Sequence, residues 1–317
     1  MRKRDFALDN KRIFVAGHRG MVGSAVVRAL RGRRCEVATA PWPGVDLRRQ
    51  EDAERWLKEN RPDAVILAAA RVGGILANDT RPAEFIYDNL AIASTVVEAA
   101  RRTNVEKLLF LGSSCIYPKE APQPISEEGL LAGPLEPTNE WYAVAKIAGI
   151  KLCQAFRRQY GCNFISAMPC NLYGPGDNFD LNSSHVVPAL MRKMHEAKSA
   201  QSPHVTIWGT GKPRREFLHV DDLAAAAIHL LEWYTGEQHV NIGTGRDLTI
   251  AALAESIRNV TGFEGRLVFD TTKPDGVARK LLDISKLTAL GWRPKIELSS
   301  GLSGVYQWYL SHADVPG

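Results

Sequence analysis

Cysteine is scarce in this sequence of 317 residues. The five cysteines, Cys35, Cys115, Cys153, Cys162 and Cys170, are odd in number and show neither a C-x-x-C spacing nor the histidine pattern of a zinc site. This argues against a disulfide framework, and we expect no metal site. Unpaired cysteines are typical of reducing compartments, so we expect a cytoplasmic protein.

Long apolar runs are also missing. The longest one, 64–70, is far shorter than the ~20 residues that a membrane-spanning helix requires. The basic residues at the start of the chain are interrupted by Asp5 and Asp9, and no apolar segment follows them. We therefore expect neither a membrane anchor nor a signal peptide.

The sequence also lacks a large excess of charge of one sign. There are 40 lysines and arginines against 35 acidic residues, and the basic residues form no long run interleaved with aromatic side chains. Nucleic-acid binding is therefore not expected. The net charge of +5 instead suits a small polyanionic ligand such as a nucleotide diphosphate.

Short β-branched runs alternate with amphipathic segments from residue 11 to about residue 169. This alternation is typical of βαβ units that form a parallel sheet. We predict strands at 12–16, 36–39, 64–69, 107–111 and 163–168, and helices at 21–32, 49–60, 83–103 and 140–160. Later segments predict a helix at 186–200, a hairpin at 205–219 and a helix at 221–235.

These patterns predict an α/β protein with a Rossmann-type doubly wound parallel sheet and a smaller C-terminal α/β substrate-binding region. The first region is expected to span 1–170 and the second 171–317. An arrangement in which the second region is interleaved with the first stays open.

Three glycines, Gly17, Gly20 and Gly23, lie at three-residue spacing between the first predicted strand and the first helix. The first permits a tight turn, the second a close approach of a pyrophosphate, and the third close packing of helix on sheet. A purely structural turn is the alternative, but the strand–turn–helix context favours dinucleotide binding. No acidic residue that would bind a ribose 2′-hydroxyl occurs in 38–44, and this absence, together with Arg19, favours NADP.

Tyr142 and Lys146 are four residues apart on a predicted helix, so their side chains share one face. A nearby ammonium is expected to lower the pKa of a phenol toward the working pH. Ser113 follows the predicted strand 107–111 at the edge where open α/β sheets bind ligands. We predict that Ser113 and Tyr142 hold a ketone oxygen, although an exposed helical Tyr/Lys pair without function is the alternative.

In this order, the glycine loop, the serine and the Tyr/Lys pair resemble those of the extended short-chain dehydrogenase/reductases. The resemblance narrows to the GDP-L-fucose synthase family and extends from the glycine loop to the C-terminus. The segments that carry it are 112–119 (GSSCIYPK), 135–140 (LEPTNE), 171–175 (NLYGP), 184–188 (SHVVP) and 215–222 (REFLHVDD).

The resemblance implies an enzyme that epimerises GDP-4-keto-6-deoxy-D-mannose at C3 and C5 and then reduces its C4 ketone with NADPH. Both carbons flank the carbonyl, so their deprotonation places charge on the oxygen near Tyr142 and Ser113. By resemblance, Cys115 and His185 are the acid/base pair. A buried structural thiol and a polar loop histidine are the alternatives for these two residues.

The resemblance also implies the remaining site residues and a homodimer formed through helices 83–103 and 140–160. The expected NADP(H) site consists of Gly17, His18, Arg19, Gly20, Met21, Val22, Gly23, Asp46, Leu47, Leu111, Gly112, Ser113, Lys146, Pro169, Asn171, Leu172 and His185. The expected GDP-sugar site consists of Lys193, Trp208, Arg215, Asp275 and Lys280.

One segment departs from the family pattern. Residues 40–46 lack the arginines expected after the second strand of an NADP-selective member. Arg19, with help from Arg33 or Arg34, would have to bind the 2′-phosphate. The preference between NADPH and NADH therefore stays open.

Three other functions remain as alternatives. A nucleotide-sugar dehydratase commonly has an acidic residue after the strand serine, whereas this chain has Ser114 and Cys115 there. A related epimerase/reductase or 4-ketoreductase making another deoxy sugar or a heptose stays open. A non-catalytic NADP sensor is disfavoured because such proteins usually lose the tyrosine or the lysine.

Overall fold

A computed structural model describes residues 4–273 and 275–312. The first half of the chain alternates strands and helices as the sequence pattern predicts. The elements in this half are β1 (Arg12–Ala16), α1 (Met21–Arg31), β2 (Glu36–Ala38), α2 (Gln50–Asn60), β3 (Ala64–Leu67), α3 (Ile75–Thr80), α4 (Pro82–Arg102), β4 (Lys107–Leu111), α5 (Glu140–Tyr160) and β5 (Phe164–Pro169).

The second half contains shorter strands between its helices. Its elements are β6 (Asn171–Tyr173), α6 (Val186–Ser199), β7 (His204–Trp208), β8 (Arg214–Arg215), β9 (Phe217–His219), α7 (Val220–Trp233), β10 (Val240–Ile242), β11 (Leu248–Thr249), α8 (Ile250–Thr261), β12 (Arg266–Asp270), β13 (Arg279–Lys280), α9 (Ser285–Ala289) and α10 (Leu298–His312).

Six parallel strands form the main sheet in the order β10-β5-β4-β3-β1-β2. Strands β3, β4 and β5 are buried along their whole length, as expected of a parallel sheet that is covered by helices on both faces. The strand order reverses between β1 and β3, and ligands of such sheets bind outside the carboxyl ends of the strands at this point. The predicted Rossmann-type fold is thus confirmed.

Helix boundaries follow local sequence signals. Helix α5 begins after the turn Pro137–Asn139 and ends at Gly161, whose positive φ of 70° is typical of the residue after a helix. Thr249 caps the start of helix α8, and its hydroxyl accepts a hydrogen bond from the amide of Ala252. None of the helices within residues 4–273 and 275–312 is long and apolar enough to cross a membrane.

The predicted hairpin at 205–219 is wrong. Its three strands join three different sheets: β7 pairs with β12, β8 with β11 and β13, and β9 with β6. Gly209 and Gly211, which suggest a hairpin turn in the sequence, do adopt positive φ angles. They redirect the chain from one sheet to the next because the partner strands lie far away in sequence.

The C-terminal half contributes to both parts of the molecule. Helix α7 packs on α1, and β10 forms the edge of the main sheet beside β5. A separate apolar cluster contains residues of α6, β7, α8 and α10, among them Met191, Met194, Leu253 and Leu302. A division of the chain at residue 170 stays a prediction, and β10 and α7 are the segments that would cross it.

Candidate active site

The glycine loop joins β1 to α1 at the carboxyl edge of the sheet. Gly17 has a φ of +87°, and a Cβ there would lie 2.7 Å from the Cα of Ala69. A Cβ at Gly23 would lie 2.1 Å from the carbonyl oxygen of Gly17. Only glycine fits at these two positions, because a side chain would force the loop away from β3 or lift α1 off the loop.

The loop leaves room for an anion at the start of α1. A Cβ on Gly20 would meet only the carbonyl oxygen of Gly17, at 3.6 Å, and Gly20 has no side chain to cap the free amides of the first turn. Arg19 is exposed beside this space, and Met21 and Val22 form the first helical turn. Partial burial, followed by the charge of Arg19, lowers the pKa of His18. The loop therefore fits a dinucleotide pyrophosphate.

Asp46 and Leu47 lie in the loop between β2 and α2, and β2 is the outermost strand at one side of the main sheet. Asp46 forms an ion pair with Arg48 at 2.8 Å, and hydrogen bonds from Arg48 lower the pKa of Asp46. The carbonyl of Leu47 accepts a hydrogen bond from Thr95. Arg48 also pairs with Asp88 at 3.1 Å, so this part of the predicted cofactor site is held by ion pairs.

The other predicted cofactor residues follow β4 and β5 at the same edge. Leu111 ends β4, and the amide of Gly112 donates to the carbonyl of Ala167 at 2.9 Å. Pro169 ends β5, and Asn171 and Leu172 begin β6. Parallel strands therefore bring these residues to one edge, together with the glycine loop.

Ser113, Tyr142 and Lys146 form a group that we call the Ser–Tyr–Lys group. Lys146 is 4% exposed, and its Nζ donates to the carbonyl of Leu111 at 2.9 Å. The same Nζ lies 5.7 Å from the ring centroid of Tyr142, and Ser113 is hydrogen-bonded to Tyr142. The helix face predicted from the spacing thus turns toward the end of β4.

The pKa of Tyr142 differs from the prediction that the nearby ammonium of Lys146 lowers it. Burial, followed by the charge of Cys115, raises the pKa of Tyr142 above its ordinary value, although the Ser113 hydrogen bond opposes the shift. Burial lowers the pKa of Lys146 to about 8. The ammonium lies over the ring and bonds to Leu111 rather than to the phenol oxygen. Tyr142 therefore keeps its proton at neutral pH, which suits donation of a hydrogen bond to a carbonyl oxygen.

Cys115 lies in a single 3₁₀ turn, Ser114–Ile116, directly after Ser113. Its thiol is partly exposed, and the side-chain amide of Asn139 donates to its sulfur at 3.4 Å. The Oδ1 atom of Asn139 is buried and has no hydrogen-bond partner within the described part of the chain. A hydrogen bond from an amide stabilises a thiolate relative to a thiol. Sequence reasoning missed Asn139, although it lies three residues before Tyr142, one helical turn away.

His185 is the N-cap residue of α6. The residue is exposed to solvent, and desolvation by the surrounding protein atoms lowers the pKa of the His185 imidazole. The backbone carbonyl of Ser183, two residues before His185, accepts a hydrogen bond from the amide of Gly74 at 2.9 Å. Helix α3, which follows Gly74, packs on Pro137–Asn139. This connects the loop of His185 to the segment that contacts Cys115.

Trp208 ends β7 and is 62% exposed. The ammonium groups of Lys193 and Lys273 lie 5.6 and 5.5 Å from its ring centroid, within the range of a cation–π contact. Lys193 is two turns along α6 from His185. Sequence reasoning missed Lys273, which precedes Pro274, a residue outside the described part of the chain.

Arg215 connects this surface to the thiol. Burial lowers the pKa of Arg215, and the charges of Cys115, Glu136 and Asp275 oppose the shift. Asp275 accepts hydrogen bonds from the amide and hydroxyl of Thr210, at 2.8 and 2.6 Å. Lys280 is the register partner of Arg215 in the pairing of β8 with β13. All five predicted substrate residues therefore lie on neighbouring elements of the C-terminal half.

Glu216 holds these elements to the main sheet. Its side chain is fully buried and accepts hydrogen bonds from the amides of Thr244, Gly245 and Leu282 at 2.5, 2.6 and 3.1 Å. The amides belong to the segments after β10 and β13. Sequence reasoning missed this role, since a glutamate beside Arg215 gives no signal that three distant amides will surround it.

The NAD dependent epimerase/dehydratase family matches residues 13–243 of the chain. The chain is similar to GDP-L-fucose synthase of Sinorhizobium fredii, with 59% identity over 307 residues, covering 97% of this chain and 98% of that protein. A GDP-L-fucose synthetase of Naegleria fowleri, solved bound to NADP, has a TM-score of 0.90 and 26% identity over 99% of this chain and 98% of its own. A GDP-6-OMe-4-keto-L-xylo-heptose reductase of C. jejuni has a TM-score of 0.90 and 38% identity, with coverages of 96% and 98%.

Proposed function

The chain belongs to the NAD dependent epimerase/dehydratase family, and from this premise we propose that it acts as a GDP-L-fucose synthase. In this reaction GDP-4-keto-6-deoxy-D-mannose is epimerised at C3 and C5 and reduced at C4 to GDP-L-fucose. The observation that carries the proposal is the 59% identity to a GDP-L-fucose synthase over nearly the full length of both chains. The side chains of the site supply the groups that this chemistry needs.

The cofactor of this proposal is NADP(H). Gly17, Gly20 and Gly23 would hold its pyrophosphate at the start of α1, and Arg19 is exposed where it can meet a 2′-phosphate. When bound, the cofactor supplies the hydride that reduces the C4 ketone. Ser113, which follows β4, and Lys146, whose Nζ donates to the carbonyl of Leu111 at the end of β4, would hold the nicotinamide end of the cofactor site in place.

The first task of the side chains is proton transfer beside the ketone. Cys115 would remove the proton from the carbon, and the two electrons of the C–H bond would form a C=C bond as the carbonyl oxygen becomes an enolate. Tyr142 and Ser113 would donate hydrogen bonds to that oxygen, and such donors stabilise developing charge. His185 would return a proton to the opposite face of the carbon, which inverts its configuration.

The second task is protonation of the C4 oxygen during reduction. Tyr142 retains its proton because burial raises its pKa, so it would deliver that proton to the oxygen. Lys146, whose pKa falls to about 8, would then restore the proton of Tyr142. One tyrosine can serve both tasks, because both place negative charge on the same oxygen.

The GDP moiety would bind to the surface formed by Lys193, Trp208, Arg215, Asp275 and Lys280. Guanidinium and ammonium groups suit a diphosphate, and an exposed indole offers a face to a ring. Arg215 also lies near Cys115, so a diphosphate bound there would bring the sugar to the thiol. Its neighbour Glu216 would keep Arg215 in place through three buried amide hydrogen bonds.

A cytoplasmic homodimer completes the proposal. Helices α4 and α5 pack side by side, and three large side chains on them are exposed: Tyr87 at 71%, Trp141 at 47% and Val144 at 37%. Exposed apolar side chains on two neighbouring helices suit an interface between two copies of the chain. Light scattering of the purified protein tests this, and a mass of one chain would contradict it.

The direct test uses purified protein with GDP-4-keto-6-deoxy-D-mannose and either NADPH or NADH. We expect oxidation of NADPH and formation of GDP-L-fucose, identified by chromatography against the authentic sugar nucleotide. No oxidation with either cofactor would contradict the proposal.

In heavy water, His185→Gln should impair deuterium uptake at C3 or C5 more than reduction, and unchanged uptake in this variant would contradict the role of His185.

A 4-ketoreductase that makes a GDP-heptose is the second candidate. The observation that favours it is the fold similarity to the C. jejuni heptose reductase at 38% identity. Such an enzyme would reduce C4 without inverting C3 and C5. Product analysis distinguishes the two, because reduction without deuterium uptake at C3 and C5 would support the reductase.

A further inference from the structure

Trp42 is a half-exposed indole close to the predicted cofactor site. It lies in the loop 39–49 that connects β2 to α2, four residues after the end of β2, and is 49% exposed. Its position was not predicted to have a role. In open α/β sheets the adenosine ribose is bound at the end of the second strand, so an aromatic ring there lies beside the adenine.

The loop that carries Trp42 is fixed at both ends. Ala40 is buried, and the amide of Val45 donates to the carbonyl of Pro41 at 2.8 Å, which closes a turn around Trp42. The amide of Asp46 donates to the side chain of Asp52 in α2 at 3.2 Å. The indole is therefore presented by an ordered turn rather than by a long free loop.

Arg48 supports the indole. Its guanidinium carbon lies 5.8 Å from the ring centroid of Trp42, within the range of a cation–π contact. The same guanidinium forms ion pairs with Asp46 at 2.8 Å and Asp88 at 3.1 Å. Because its charge is matched by two carboxylates, Arg48 is poorly suited to bind a 2′-phosphate and better suited to hold the ring.

We propose that Trp42 is the stacking platform for the adenine ring of the dinucleotide, with Arg48 fixing the orientation of the indole. This inference rests on the proposed function only in that the chain binds NADP(H). An uncharged aromatic ring contributes equally to the binding of NADPH and NADH, since both contain adenine. Discrimination between them is left to Arg19, which is exposed and forms no ion pair within the described part of the chain.

Binding measurements on the full-length protein test this without turnover. In Trp42→Ala the Kd for NADPH, NADH and 2′,5′-ADP should rise together by roughly tenfold, since loss of an aromatic platform for a base weakens binding by about this much. The Kd for reduced nicotinamide mononucleotide, which lacks adenine, should stay unchanged. Trp42→Phe retains a ring and should stay within about twofold of the parent.

Fluorescence gives a second readout. Binding of 2′,5′-ADP should quench tryptophan emission in the parent and in a matched control, Trp308→Phe in α10, but much less in Trp42→Phe. Arg19→Ala should weaken NADPH and 2′,5′-ADP binding while sparing NADH.

The possible outcomes separate the two proposals. Equal Kd values for 2′,5′-ADP in the parent and Trp42→Ala would overturn the stacking platform and leave the proposed function intact. Weaker binding of the mononucleotide in Trp42→Ala would also overturn it, since the effect would not be specific to adenine. Failure of the unchanged protein to bind NADPH and NADH would contradict both proposals.

Discussion

Tyr142 and Lys146 of the Ser–Tyr–Lys group and the pair Cys115 and His185 are carried by different kinds of structure. Tyr142 and Lys146 lie on one face of the 21-residue helix α5, packed against β4. Cys115 lies in a single 3₁₀ turn, and His185 at the first position before α6. Helix α5 holds Tyr142 and Lys146 in place, and short segments between the longer elements hold Cys115 and His185.

This difference fits the two tasks that we propose. Reduction uses one carbonyl oxygen, so a rigid group on a helix can serve it. Epimerisation requires proton transfer at two carbons and on two faces of the sugar, so the more open pair must serve more than one position of the substrate. Four substitutions test this comparison, and they follow in order of decreasing expected effect on activity or stability.

The largest effect is expected from Tyr142→Phe. The variant keeps the ring and removes the proton donor, so NADPH oxidation should fall by about 10²–10⁴-fold, the usual contribution of a positioned acid. Deuterium uptake at C3 and C5, measured by mass spectrometry, should fall less because Ser113 still donates to the oxygen. Tyr160→Phe, at the end of the same helix, is the control. Equal losses of NADPH oxidation and deuterium uptake would contradict the assignment of reduction and epimerisation to two separate groups of side chains.

Lys146→Met should separate activity from stability. Burial lowers the pKa of Lys146 in the folded protein from 10.5 to about 8, so the unfolded chain holds its proton more tightly and charging this lysine destabilises the fold. That penalty is fully present below pH 8 and disappears as the pH rises to 10.5. At about 1.4 kcal/mol per pKa unit, the variant should gain on the order of 3 kcal/mol at pH 7 while losing reduction.

Urea unfolding of this variant and the parent at pH 7 and pH 9.5 checks the sign. The advantage of Lys146→Met should shrink at the higher pH, whereas Lys151→Met, an exposed lysine on the same helix, should show little difference. If Lys146→Met is less stable than the parent at pH 7, the claim that the buried ammonium of Lys146 destabilises the folded protein is wrong.

Cys115→Ser should impair the other group selectively. A hydroxyl of similar size is a far weaker base than a thiolate, so deuterium uptake should fall by roughly 10²-fold, at the low end of acid–base contributions. Reduction of a ketone substrate that needs no epimerisation should change much less. Cys162→Ser, a partly exposed thiol away from the cleft, is the matched control. Equal uptake in Cys115→Ser and the parent would remove Cys115 from the mechanism.

Asn139→Ala should produce the smallest effect and sharpen the role of its neighbour. Loss of the amide donor leaves the sulfur of Cys115 without this hydrogen bond, so deuterium uptake at C3 and C5 should fall by roughly tenfold, the usual effect of one lost hydrogen bond. Reduction of a ketone substrate that needs no epimerisation should change little. Equal falls in uptake and in reduction would indicate a purely structural role for Asn139.

Much of the fold was predictable because its signals are local. The alternation of apolar strands and amphipathic helices predicted β1 to β5, and the three glycines predicted the turn before α1. The hairpin at 205–219 was not predictable in this way, since β7, β8 and β9 pair with strands up to 65 residues away. Pairing partners depend on where the chain returns, and no local pattern records that.

The candidate site likewise has features that local sequence patterns predict and features that depend on distant contacts. By itself the sequence determined that Tyr142 and Lys146 share a helix face and that Ser113 follows a strand, because helical and strand periods are local properties. Only the tertiary structure decided that Asn139 reaches Cys115, that Glu216 gathers the amides of Thr244, Gly245 and Leu282, and that burial keeps the proton on Tyr142. Hydrogen bonds between distant segments and the shift of a pKa by burial depend on surroundings that form only when the chain is folded.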